Sequence, residues 1–187
     1  MGIIKFFRQL RAMHKLLKEL PAEIERQQAA YREMTPEEMA SLANDELFSA
    51  ACARTEAKID AEQELSVSFA GLNAHQKVLY ALNLFEMEVN NGGLCQFFVN
   101  SSQVVAPYIS EYLGLIGAET HKQLFDGFIT KYQVNLSDLS SFRIRRMKDY
   151  EKQTQRYPFD EFDDHFYEME SLEEPLTAYV RAHADAF

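Results

Sequence analysis

The feature that most limits what this chain can become is the stretch Glu88-Val-Asn-Asn-Gly-Gly-Leu-Cys-Gln-Phe-Phe-Val-Asn100. Two asparagines followed by two glycines stop a helix and allow a sharp turn, because glycine takes positive φ without steric cost and asparagine tolerates it. The residues on both sides are apolar and aromatic, so the chain turns back into a core instead of out to solvent. Two buried helices meeting at a corner satisfy this pattern.

The rest of the chain repeats helical signals. Thr35-Pro36-Glu37-Glu38 reads as an N-cap, a first-position proline and acids in the first turn, with Met39, Leu42, Leu47, Ala51 and Ile59 following. Asn44-Asp45 marks a break or a second start. Asn73 with Gln76 resembles a capping box and opens a helix to about Asn90, with an apolar stripe of Val78, Leu79, Leu82, Phe85 and Val89. Beyond the glycines, short helices are predicted at 94–100 and 104–116, the second started by Ser101-Ser102 as caps and admitting Pro107 early. Gly117 is a C-cap, and 118–132 carries Leu124, Phe125, Phe128 and Ile129 on one face. Ser137 is expected to cap a helix bearing Phe142, Ile144, Met147 and Tyr150, and the last helices run from Asp160 to about Ala184. Only seven Gly and five Pro occur in 187 residues, and no run of alternating β-branched residues suggests a sheet. The expected class is all-α.

Charge divides the chain unevenly. Residues 1–32 hold seven Lys/Arg against three acids, a net of +4, whereas residues 33–187 hold 12 against 26, a net of −14. In the basic segment Ile3, Phe6, Phe7, Leu10, Met13, Leu17 and Leu20 recur at helical spacing, broken by Lys5, Arg8, Arg11, Lys15 and Lys18. No uninterrupted apolar run is long enough for a signal peptide or a membrane span. Such a helix packs on its own chain, on a second copy in a homodimer, or on an anionic membrane through residues 1–20. The expected organisation is a basic amphipathic extension at 1–34 and an acidic helical domain at 35–187. Two cysteines 43 positions apart, Cys52 and Cys95, form neither a disulfide framework nor a zinc motif and suit a reducing cytoplasm.

The most extreme composition lies at 160–174, with eight carboxylates in 15 residues and no Lys or Arg. A helical wheel sets Phe162, His165, Phe166, Met169, Leu172 and Leu176 on one face. Asp160, Glu161, Asp163, Asp164, Glu168, Glu170 and Glu174 are the residues assigned to a partner-binding face. Glu173 falls on the apolar side, so the helix should break before it, with Ser171-Leu-Glu-Glu174 as a new capping box. Along a helix this stretch would carry one charge per ~3 Å, more dilute than the ~1.7 Å of duplex DNA. Crowded like charges cost stability. The patch reads as a solvated face, a surface for a basic partner, or a cation site.

No catalytic constellation emerges. Asp164, His165 and Glu168 share one turn but the chain lacks paired Glu-x-x-His elements, and His14, His75, His121 and His183 are scattered. No nucleophile elbow, phosphate loop or dinucleotide fingerprint occurs, so neither enzymatic activity, a metal nor a cofactor is expected. Glu86, close to the apolar stripe, needs donors, for which the backbone near Gly92-Gly93 is the expected source. Glu88, Asn90, Asn91, Gln96 and Asn100 would brace the corner or, in the alternative reading of a small-molecule-binding or enzymatic domain, line a pocket there. Arg143, Arg145, Arg146, Lys148, Lys152 and Arg156 form a basic cluster, expected to pair with the acidic stretch within or between subunits; with a net charge of −10, direct nucleic-acid binding is disfavoured.

The string from Glu88 to Ser101, with Leu115-Ile-Gly-Ala118 and Phe159-Asp-Glu-Phe-Asp-Asp-His-Phe-Tyr167, resembles the signature of a bacterial all-helical DNA-mimic-protein-like domain family over about residues 45–183. The resemblance implies a non-enzymatic protein whose surface carboxylates stand in for DNA phosphates and occupy a basic DNA-binding protein, such as a transcription factor or nucleoid protein. It places Glu88, Asn90, Asn91, Gly92, Gly93, Gln96 and Asn100 in the fold signature. The basic helix at 1–20 departs from a purely anionic mimic.

Overall fold

Capping chemistry places several helix starts where the sequence predicts them. The computed structural model describes residues 21–144 and 146–187, so the expected basic helix at 1–20 and Arg145 lie outside the described residues. A helical segment, α1, covers residues 21–33. Thr35 opens α2 (Pro36–Ser41) with a full capping box, its hydroxyl accepting from Glu38 N and the Glu38 carboxylate accepting from Thr35 N. α3 (Asn44–Glu56) follows, then α4 (Leu65–Gly71). Asn73 opens α5 (Ala74–Val99) with the expected box to Gln76.

Helix α5 is two helices joined at a kink. Gly92 (φ −164°, ψ 23°) and Gly93 (φ 78°, ψ 176°) leave helical geometry, and the backbone then resumes its turns to Val99. The segment after it differs from expectation. Ser101–Tyr108 is a 3-10 helix containing Pro107, and it leads into the short α6 (Ile109–Leu115). Ser101 and Ser102 cap nothing: the N-cap residue is Asn100, and the Ser102 hydroxyl donates back to Phe97 O. A serine with a free carbonyl within reach satisfies itself locally instead of capping.

Gly117 takes φ 73° after α6, and Ala118 N bonds Leu113 O, which closes the helix end. α7 (Glu119–Tyr132) then runs to a left-handed Gln133. Ser137 starts no helix either. Its region is a turn built by Asn135 and Asp138, then a 3-10 turn at Ser140–Phe142, and α8 begins only at Met147, running to Arg156. α9 (Phe159–Tyr167) and α10 (Glu173–Ala182) close the fold, with the predicted break between them. The predicted capping box at Ser171 is replaced by a two-residue turn, Glu173 N donating to Ser171 Oγ, with Leu172 as the N-cap. No strand occurs among the described residues, and the protein is all-α.

Phe85, on the first half of α5, holds the centre of the core. Its ring meets Phe97, Phe125 and Phe166 edge-on at 5.0, 5.5 and 5.6 Å, the geometry that aromatic quadrupoles favour. The whole predicted α5 stripe, Val78, Leu79, Leu82, Phe85 and Val89, is buried. Two arginines stitch the periphery by donating to backbone carbonyls at helix ends. Arg54 reaches Tyr31 O, Arg32 O and Met34 O, and Arg181 reaches Ala40 O and Leu42 O. Such charge-assisted bonds satisfy acceptors that a helix terminus leaves open.

Candidate functional site: a braced helix corner and an acidic face

The corner is held by a carboxylate on each side. Glu88 is 8% exposed, and its Oε2 accepts from Gln96 Nε2 at 2.7 Å and from Asn100 Nδ2 at 2.9 Å. A single buried oxygen therefore ties the first half of α5 to the second, one turn and then two turns beyond the kink. Gln96 in turn closes over Gly92, where a Cβ would fall 2.1 Å from Gln96 Oε1. Asn90 and Asn91 are exposed, so the brace runs through Glu88, Gln96 and Asn100.

The other support comes from far along the chain. Asp163 on α9 accepts from Leu94 N at 2.8 Å, and so caps the second half of α5 just after the kink. Gly93 allows this approach, since a Cβ there would sit 2.1 Å from Asp163 Oδ2. Burial raises the Asp163 carboxyl above its ordinary range, the Leu94 bond lowers it, and Asp160 and Asp164 add to the rise. The Tyr167 hydroxyl donates to Val89 O at 3.0 Å on the near side of the kink. Glu86 does not use the donors near the glycines as expected; it accepts from Leu172 N at 2.8 Å and anchors the approach to α10. The donor at the corner is met instead by an acid 69 residues away.

Sequence periodicity contained this answer in part. α9 begins at Phe159, and its buried residues are Phe159, Phe162 and Phe166. Asp163 lies four residues after Phe159, on that same stripe, which makes it an inward residue. His165, predicted on the apolar face, is exposed, because the stripe is rotated toward Phe159.

The rest of the acidic stretch faces outward. Asp160, Glu161, Asp164, Glu168, Glu170, Glu173 and Glu174 are exposed, and Asp163 is half-buried. Among the described residues the ion pair drawn to this stretch is Lys131–Glu161 at 3.5 Å, with both side chains largely in water. Two of the basic side chains have partners elsewhere: Lys152 lies 3.9 Å from Asp149, which also accepts from the Arg146 backbone N–H, and the Arg156 guanidinium covers the Tyr157 ring. The expected pairing of its described members with the acidic stretch within one subunit is not observed.

Beside the face is a cavity of about 440 Å³ between the start of α7 and the loop into α10, bordered by Glu119, Glu168, Glu170 and Glu174. His121 forms part of its wall, and burial lowers the imidazole pKa against opposing contributions from Glu86 and the Glu170 backbone. The two thiols are poor nucleophiles at neutral pH. Burial pushes Cys52 up to about 12 and Cys95 up to about 11. Among the described residues no group of three or more His, Cys, Asp or Glu is placed to hold a metal ion, and no helix is long and apolar enough to cross a membrane.

No match was found among curated proteins, and none among solved structures. The family of DMP19-like proteins matches residues 70–183, beginning later than the 45 expected from the sequence signature and covering the corner, α9 and all of α10. With more than half of its length in that match, this chain belongs to the DMP19-like protein family.

Proposed function

We propose that this chain acts by binding and not by turnover, as a DNA mimic whose outward acids occupy a basic surface of a DNA-binding protein. The observation that supports it is the exposure of seven of the eight carboxylates at 160–174, with little neutralisation from the described part of the chain. An acidic field of this kind steers a basic partner and makes its binding salt-dependent. The working residues are Asp160, Glu161, Asp164, Glu168, Glu170 and Glu174. Asp163, in this reading, serves the fold.

The test is capture from the native host's lysate at low and moderate salt, with the natural chain and with Asp160→Lys, Asp164→Lys, Glu168→Lys and Glu170→Lys combined. The expected result is a DNA-binding protein held at low salt, displaced by duplex DNA and lost with the charge reversal. Retention indifferent to salt, to DNA and to the reversal would end the mimic reading.

A further inference from the structure

A cleft lined by no residue of α9 lies beside the corner. With a volume of about 520 Å³, it opens between the segment 59–66 and the start of the 3-10 helix after α5, and Glu88 forms part of its wall. That volume is in the range of small-molecule sites, roughly 300–1,000 Å³. Its sides are largely aliphatic, from Ile59, Leu65, Leu84 and Val104, with the Tyr80 ring beside them.

Charge in the cleft has one sign. Asp60, Glu64 and Glu88 line it, and among the described residues no Lys, Arg or His does. Asp60 is occupied, accepting from Glu62 N and from Gln63 Nε2. Glu88 is different. Its Oε2 takes both amide donors of the brace, whereas Oε1 has no protein donor among the described residues and is not sealed from solvent. A side chain more than nine-tenths buried thus keeps one carboxylate oxygen open, next to aliphatic walls.

A carboxylate oxygen that is open at the wall of a cleft and holds no protein donor can accept from a ligand, and a positively charged donor makes the strongest such bond. We infer that the cleft binds an organic cation, a primary ammonium or guanidinium head on a short aliphatic stem. The head donates to Glu88 Oε1 while the stem lies along Leu84 and Val104. A neutral alcohol of the same shape lacks the charge, and a carboxylate would meet three acids of its own sign. The inference is independent of the acidic face, because none of the residues at 160–174 lines this cleft.

Isothermal titration with agmatine, n-butylamine, n-butanol and butyrate tests it, using the full chain. The two cations should bind and the alcohol and the acid should not. Glu88→Gln, which keeps the shape and an acceptor for the brace, should weaken agmatine at least tenfold. Ala61→Trp, on the exposed rim, should block the cleft without touching the brace and so abolish binding if Glu88→Gln fails to fold. A blocked-terminus Gly-Arg-Gly peptide decides the source: binding equal to agmatine identifies a polypeptide side chain as the natural occupant, and binding by free amines alone identifies a small molecule. Equal heats from the amine and the alcohol, or agmatine affinity unchanged in both variants, would overturn the site.

Discussion

At the helix corner three carboxylates each have an assigned donor: Glu88 holds two side-chain amides, Asp163 holds Leu94 N–H, and Glu86 holds Leu172 N–H. On the outer side of α9, the loop beyond it and the first turn of α10, seven carboxylates of the same two residue types face water, one of them near Lys131. The two regions touch, since Asp163 belongs to the acidic stretch by sequence and to the corner by contact. The difference teaches that acidic composition divides into two jobs here. Carboxylates with backbone or amide donors set the geometry, and the remainder face solvent.

The largest effect should come from the tightest approach. Gly93→Ala combines a positive φ with a Cβ 2.1 Å from Asp163, and should cost about 3 kcal/mol in the denaturation midpoint. Gly117→Ala, at nearly the same φ but with nothing within 4 Å, should cost only about 1 kcal/mol. Equal losses would mean that backbone strain alone, and not the Asp163 contact, makes the corner special.

Asp163→Asn comes next and should cost roughly 2 kcal/mol by weakening the cap on Leu94. Its pH signature separates it from the outer acids. A raised carboxyl in the folded state keeps its proton where the unfolded chain has released it. Its contribution is therefore greatest below the ordinary aspartate value of 3.8 and is lost as pH rises through the raised value. Urea midpoints of the natural chain and Asp163→Asn should diverge most at the acidic end and run parallel near neutrality.

On the outer face, neutralising Asp160, Asp164, Glu168 and Glu170 together should leave stability unchanged or slightly higher, because it removes repulsion and breaks no described bond. A clear loss of stability would place these acids with the corner group. Smallest of all, Lys131→Ala should not move the melting transition measurably, since its pair with Glu161 is solvated on both sides.

Much of the architecture was readable in the chain itself. The Thr35 and Asn73 capping boxes, the α5 stripe, the glycine kink and the break before Glu173 all follow from local rules that tertiary packing leaves intact. The errors lie where a residue had a nearer partner than a helix terminus. Ser102 bonds Phe97, and the turn after Asn135 takes the place of a helix start at Ser137. At the candidate site, Gln96 and Asn100 were legible as braces because they lie within 12 residues of Glu88. The Asp163 and Glu86 partners were not, being 69 and 86 residues away, a separation on which no local pattern reports.

That separation also has a consequence in time. Translation adds about 5–20 residues per second, so the peptide after the kink waits roughly 3–14 s for its aspartate to be synthesised. During that interval the segment holding Phe97 and Phe98 lacks its cap from α9 as well as the Phe159 ring that later packs on Phe98. A nascent chain halted between Val99 and Phe159 would expose some of its most apolar surface, and emergence of residues 158–187 would add α9, α10 and the acidic face.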